Sequence, residues 1–318
     1  MLVAQPRVQA QLTAEKLRVV YSAIGGSQAS VWIPYEAGIF RKHGLDIELL
    51  YVGGGGRAAQ VVQSGEVPIG VFTGGAVINS NLAGGDLVVI ASTMNVMTFS
   101  VVARPEIRRV EDLKGKKIGI TRFGSATDFA LRYAEGQWLL KRQKDFAVIQ
   151  IGGMPEQLNA LRTGALEAAV LNIELTLVAR KEGFKELADI GKMGLSFPTS
   201  SVATTRSFIR RSENTVRKFI RGFVDGVHYA KTQRGFGVQV MSKYFRNDDT
   251  AFLNELYDLY VLQNVPPIPR PSPEALKTVL DQMAETDSRV VNLRPEQFID
   301  ARFFQELENE GFLQRLWK

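Results

Sequence analysis

Two hydrophobic registers alternate along this chain. Short β-branched runs recur, and each is followed by a glycine-bearing turn and then by apolar residues at helical spacing. Residues 17–21 (Leu-Arg-Val-Val-Tyr) predict a first strand, and Ile24-Gly25-Gly26-Ser27-Gln28 breaks it. Ser30 is placed to cap a helix that tolerates Pro34 in its first turn, carries Ile33, Ala37 and Phe40, and stops at Gly44. Residues 46–52 predict a second strand. Gly53-Gly54-Gly55-Gly56 follows, then a short helix with Ala58, Val61 and Val62 on one face and Gly65 as its stop. Residues 69–72 predict a third strand, Thr73-Gly74-Gly75 opens another helix ending at Gly84-Gly85, and residues 87–91 predict a fourth strand. Strands alternating with helices imply a parallel sheet covered by helices. The glycine turns all fall at carboxyl ends of strands, the edge where open α/β sheets bind ligands.

The pattern then starts again. Residues 99–103 predict a strand, Arg104-Pro105 begins a linker, and residues 117–121 predict another strand. Arg122-Phe123-Gly124-Ser125-Ala126-Thr127-Asp128 opens a helix, with Ser125 and Asp128 at capping-box spacing. Further strands are expected at 146–151 and 168–171, separated by a helix with Pro155 in its first turn; the latter strand ends at Asn172-Ile173-Glu174. A β-rich run at 200–205 precedes a long helix over 213–233, whose apolar stripe is Val216, Phe219, Ile220, Phe223, Val227 and Ala230. Residues 253–261 read as helical. The proline-dense stretch 266–273 reads as an extended surface connector, and helices follow around 276–283 and from Pro295.

With 318 residues, the chain has length for about two domains. It contains no cysteine and two histidines. Zero cysteines exclude a disulfide scaffold, thiolate metal sites and a cysteine nucleophile. Two histidines give little basis for a zinc hydrolase, and no G-x-S-x-G elbow is present. His43 lies in Arg41-Lys42-His43 before Gly44, where a cation suits a helix C-terminus, and His228 falls in the long amphipathic helix. The net charge of +6 is spread along the chain without a basic tract, so no nucleic-acid partner is expected. No apolar stretch reaches membrane-span length. Val8-Gln9-Ala10 has the small-x-small form of a signal-peptidase site without the charged and apolar regions that precede one, so residues 1–15 read as the stub of an export signal.

Several segments together resemble one family. Glu36-Ala37-Gly38-Ile39-Phe40-Arg41-Lys42-His43-Gly44-Leu45-Asp46-Ile47-Glu48 is similar to its "Glf.k.GldVel" signature, Val110-Glu111-Asp112-Leu113-Lys114-Gly115-Lys116-Lys117-Ile118-Gly119-Ile120 to its "dLkGkkigv" segment, and Gln63-Ser64-Gly65-Glu66-Val67 to the end of its second helix. This is the family of periplasmic substrate-binding proteins of ABC importers, of the nitrate/sulfonate/taurine and THI5-like type. The resemblance implies an α/β, two-lobed periplasmic-binding-protein-like (type II) fold, each lobe a mainly parallel sheet with flanking helices, and a ligand cleft between the lobes. It places 16–100 and 203–318 in lobe one and 101–202 in lobe two, with crossing segments near 98–106 and 196–206. The implied protein is a periplasmic monomer that is not an enzyme, has no cofactor and no metal, captures a small anionic or zwitterionic organic solute by lobe closure, and passes it to ABC transporter permease subunits.

Free N–H groups at helix N-termini suit an anion. From the family pattern the ligand-binding candidates are Gly26, Ser27, Gln28 and Trp32, then Gly54 and Gly55, Thr73 and Gly74, and Asn95 after the fourth strand. Across the cleft they are Arg122, Ser125, Ala126, Thr127, Asn172 and Glu174. Trp32 is open to a core role as well as a stacking one. Arg122 is open to pairing with Glu174 as well as with a ligand anion. Pro68 stands where the family often has Asp, and Glu174-Leu175 where a proline is common; an acid there would favour an amine-bearing or zwitterionic ligand.

Three other functions are weaker. An enzyme of the same fold, of pyrimidine- or menaquinone-pathway type, would be distinguished by turnover, and the pyrimidine synthase needs cysteines this chain lacks. Gly53-Gly54-Gly55-Gly56-Arg57-Ala58 fits G-x-G-x-x-A, but the next strand ends Val71-Phe72-Thr73 without the acid a dinucleotide needs. A regulator would need a helix-turn-helix before the first strand, and only about 16 residues precede it.

Overall fold

The β-branched runs at 69–72, 99–103 and 168–171 become strands buried along almost their whole length, as near-continuous apolar runs require. The computed structural model describes residues 14–318. Of the expected leader at 1–15, residues 1–13 lie outside the described residues, and Glu15 already opens β1 (Glu15–Tyr21) opposite Leu45. The strands that follow are β2 (Leu45–Tyr51), β3 (Ile69–Phe72), β4 (Leu87–Val96), β5 (Phe99–Ala103), β6 (Lys117–Ile120), β7 (Ala147–Gln150), β8 (Ala168–Asn172), β9 (Lys185–Asp189) and β10 (Ser196–Thr205).

They form two five-stranded sheets ordered β2-β1-β3-β10-β4 and β7-β6-β8-β5-β9. In the first sheet β1 pairs parallel with β2 and β3, while β10 runs antiparallel to both β3 and β4. In the second, β6 pairs parallel with β7 and β8, and β5 runs antiparallel to β8 and β9. One strand in each sheet is therefore reversed, and it is the strand that has just crossed from the other sheet. The common strand order explains why the two halves of the sequence look alike in form.

The crossings lie at Met97-Thr98, between β4 and β5, and at 190–195, between β9 and β10. This corrects the expected return to lobe one near residue 203, because 196–202 are already in the first sheet. The apolar pattern hid this part of β10 because Phe197-Pro198 interrupts it. The register with β4 shifts between Ser196 and Ser200, a bulge that accommodates Pro198. The same pairing explains why β4 continues past the expected residue 91. Its polar positions are buried on β10, with Ser92 Oγ 3.4 Å from Ser201 Oγ and Thr93 Oγ1 3.1 Å from Ser200 Oγ.

The helices are α1 (Ala29–Glu36), α2 (Ile39–Lys42), α3 (Gly55–Gln63), α4 (Gly74–Leu82), α5 (Ala126–Trp138), α6 (Met154–Thr163), α7 (Ile173–Lys181), α8 (Arg206–Arg211), α9 (Glu213–Thr232), α10 (Arg234–Phe245), α11 (Thr250–Tyr257), α12 (Pro273–Ala284), α13 (Arg302–Asn309) and α14 (Phe312–Leu316). The stripe of α9 is buried as its spacing predicts. It joins α1, α10 and α11 in the larger core on one face of the first sheet, while α3, α4 and α12 cover the other face. Two smaller cores flank the second sheet. The helix expected at 253–261 widens after α11 into a π-helix, Asp258–Asn264, that carries Tyr260 and Val261 inward. Helix α7, strand β9 and helix α10 had no counterpart in the pattern reading.

Candidate functional site

The carboxyl edges of the two sheets face each other across a gap. At the first edge, Gly54 takes φ +93°, a conformation L side chains rarely adopt, and so turns the chain directly into α3. Thr73 precedes α4 but its side chain makes no capping bond. At the second edge Ser125 caps α5, accepting from Asp128 N, and its hydroxyl lies 2.7 Å from Arg122 O. A cavity of about 520 Å³ joins these parts, with Gly55 and Thr73 on one side and Arg122, Ser125 and Ala126 on the other. The amino ends of α3, α4 and α5 therefore open on one space, and their free N–H groups and dipoles favour an anion there. Arg122 is exposed and makes no ion pair among the described residues.

The floor of this gap is held by a buried ion cluster. Asp128, 1% exposed, accepts from Arg142 Nη1 at 2.6 Å, Gly124 N at 2.9 Å and Arg132 Nε at 3.3 Å. Arg142 also grips Glu135 through Nε and Nη2. Burial alone would raise the Asp128 pKa, but these donors outweigh it and hold the carboxyl below the usual carboxylate range. The cluster ties the loop 122–125, and with it Arg122, to the body of lobe two.

Glu174 has a different environment from the one expected. Its Oε1 accepts from Gly26 N at 2.9 Å and its Oε2 from Tyr260 Oη at 2.8 Å. Burial raises its pKa despite these donors, and burial, with Glu174 alongside, raises that of Tyr260. Gly26 and Glu174 are thus brought together across the lobes as expected of two cleft residues, but they satisfy each other. Arg122 does not pair with Glu174.

The remaining candidates divide by local structure. Trp32 is fully buried, stacked on Tyr244 at 4.4 Å between centroids and edge-on to Tyr21, so the expected stacking on a ligand gives way to the core role. Gly74 is buried where a Cβ would come within 2.8 Å of Pro198 and Leu276, so it serves helix packing rather than ligand approach. Asn95 lies inside β4 instead of after it, half-buried, its Oδ1 without a partner. Gln28 is buried with Oε1 unpartnered, beside the partly exposed Ser27. Ser30, expected as a cap, lies within α1 and its hydroxyl has no partner. Thr127 Oγ1 accepts from Thr121 N at 3.0 Å, and Asn172 caps α7 by accepting from Leu175 N at 3.1 Å.

Sequence reasoning missed Phe197 of β10, Val279 and Met283 of α12, and Glu285 just after that helix, which complete the wall of the gap. No local signal marks them, since each is brought there by an element beyond the last cleft loop read from the pattern. No group of three or more His, Asp or Glu placed to hold a metal occurs among the described residues, and no helix there is long and apolar enough to cross a membrane.

Comparison with known proteins sets this geometry among relatives. A sequence model of the family described as NMT1/THI5 like matches residues 29–233. A protein of Brucella abortus (strain 2308) that carries a provisional name as a binding protein is 26% identical over 238 residues, covering 73% of this chain and 72% of that one. The periplasmic aliphatic sulphonate binding protein SsuA of Escherichia coli superposes with TM-score 0.71 at 19% identity, over 90% of this chain and 97% of that chain. The alkanesulfonate-binding protein SsuA of Xanthomonas axonopodis pv. citri, solved bound to MOPS, gives TM-score 0.65 at 15% identity, over 89% and 96%. The fold is that of the periplasmic binding proteins.

Proposed function

The chain belongs to the NMT1/THI5-like family, and from that premise we propose that it is an extracytoplasmic solute-binding protein, which captures a small organic solute with an anionic group between its lobes and hands it to the permease of an ABC importer. The observation that carries this reading is the gap itself, where three helix N-termini converge with Arg122, which makes no ion pair among the described residues. Such a site is built to hold an anionic group. The anionic group would sit against Gly55, Thr73 and Arg122, and an apolar part against Phe197, Val279 and Met283.

The zwitterionic form of the expectation rested on Glu174. That carboxylate is taken up by Gly26 and Tyr260, so the acid available to a ligand amine is Glu285, which lines the gap at the end of α12.

A thermal-shift screen of alkanesulfonates, aromatic carboxylates, aminosulfonates and neutral sugars tests the reading, because a solute that binds only the native state raises apparent stability. Shifts from organic anions and none from sugars are expected; the reverse pattern would end the anion assignment. Consumption of the solute by purified protein would replace a binder with an enzyme of the same fold. Arg122→Ala is expected to weaken the best anion by about tenfold to a hundredfold in Kd, the value of a charge-assisted hydrogen bond, with an unchanged melting temperature without solute. Calorimetric titration reads the Kd and a thermal scan without solute reads the melting temperature.

A further inference from the structure

Helix α7 belongs to lobe two by sequence order and sheet contact, yet part of it is packed into lobe one. Leu177 is 3% exposed within the larger core of lobe one, a core that also holds Phe252, Leu256 and Tyr260. Around it, Lys181 Nζ lies 2.8 Å from Asp249 Oδ2 and Arg180 Nη1 3.4 Å from Glu255 Oε1. These ion pairs are exposed and contribute little. At the amino end of the same helix Glu174 reaches further into lobe one and accepts from the Gly26 amide and the Tyr260 hydroxyl. The amide is the first N–H of the turn Gly26–Gln28 that leads into α1, one of the donors a cleft of this kind would otherwise leave for a ligand. Gly26 is buried against Tyr260, and a Cβ there would fall among the ring atoms, so the three groups form one fitted unit.

We propose that Glu174 is a built-in substitute for a ligand anion: its carboxyl occupies the Gly26 amide and bridges to Tyr260, latching lobe two onto lobe one in the absence of any solute. The latch removes the β1–α1 turn from the donors open to a ligand and leaves that role to the amino ends of α3, α4 and α5. The contact of Glu174 with Gly26 and Tyr260 concerns the protein alone, whereas its standing in for a ligand anion rests on the solute-binding reading.

The Gly26 amide reports the latch directly, because Glu174 is its hydrogen-bond acceptor. Hydrogen exchange on the full chain without solute, resolved at Gly26, should show protection in the wild type. Glu174→Gln keeps an acceptor for Gly26 and a donor for the Tyr260 oxygen, and should retain that protection. Glu174→Ala should raise exchange at Gly26 by roughly tenfold or more while leaving β1 and β3 protected, and should enlarge the radius of gyration measured by X-ray scattering. Tyr260→Phe removes the second donor alone and should give an intermediate gain in exchange, which keeps the test available if Glu174→Ala does not fold. Unchanged exchange at Gly26 in Glu174→Ala with the fold intact, or equal loss in Glu174→Gln and Glu174→Ala, would overturn the latch. Failure of the anion screen alone would leave it standing and remove only the solute-binding reading.

Discussion

Asp128→Ala is expected to unfold in urea well below the wild-type midpoint, with a loss of about 3 kcal/mol and an unchanged slope. The carboxylate is almost fully enclosed and holds three donors, from Arg142, Gly124 and Arg132. Removing it leaves the buried side of Arg142 and the Gly124 amide without that acceptor, which costs more than the deleted bonds alone. The loss falls at the lower end for a buried pair because Glu135 still faces Arg142. The difference has a definite pH dependence. A carboxyl held below its ordinary pKa binds its proton less tightly folded than unfolded, so it adds stability above the unfolded pKa of about 3.9. That contribution disappears as pH falls through the lower folded value. Wild type and variant should therefore differ fully at pH 7 and converge as pH falls through the lowered folded pKa of Asp128. A constant difference down to acid pH would show that packing, not charge, fixes the loop.

Gly26→Ala is expected to cost about 2–3 kcal/mol, large for a single methyl group. The backbone of Gly26 is not left-handed, so the penalty is steric: the added Cβ meets the ring of Tyr260, a residue 3% exposed with little room to retreat. Displacing the ring also strains its bond to Glu174. Urea midpoints of Gly26→Ala, Tyr260→Ala and the double variant form a cycle. Groups in contact couple by about 0.5–3 kcal/mol, so the double variant should lose less than the sum of the singles. Strict additivity would mean the glycine and the ring do not share one site.

The gap-lining groups legible in the sequence are those for which one short segment supplies both the residue and its geometry. Gly54, Gly55 and Thr73 follow strands whose ends the apolar runs mark, and Arg122, Ser125 and Ala126 sit in a turn with its own capping signal. All except Gly54 line the gap. The local signal fails where a side chain's fate depends on a distant element. Trp32 is placed by Tyr244, far along the chain, and the stack of the two rings closes it to solvent. Glu174, expected at the end of a strand, lies in the first turn of α7, and nothing nearby in sequence announces that Tyr260 will be there to receive it. Ser92 and Thr93 lie beyond the apolar run 87–91 that marks the fourth strand in sequence, yet β4 continues through them. In the fold they are buried against serines of β10.

Hydrophobic period and glycine placement, which are local, were enough to determine two α/β units, the order of most strands and helices, and the edge at which a solute would meet the chain. Tertiary structure decided which of those edge groups remain free. A buried donor or acceptor is spent on whichever partner the fold brings within 3 Å or so, and here Gly26 and Tyr260 take up Glu174, while Phe197 of β10 and the side chains of α12 join the wall of the gap. Spacing along a chain fixes periodicity; only three-dimensional packing fixes partners.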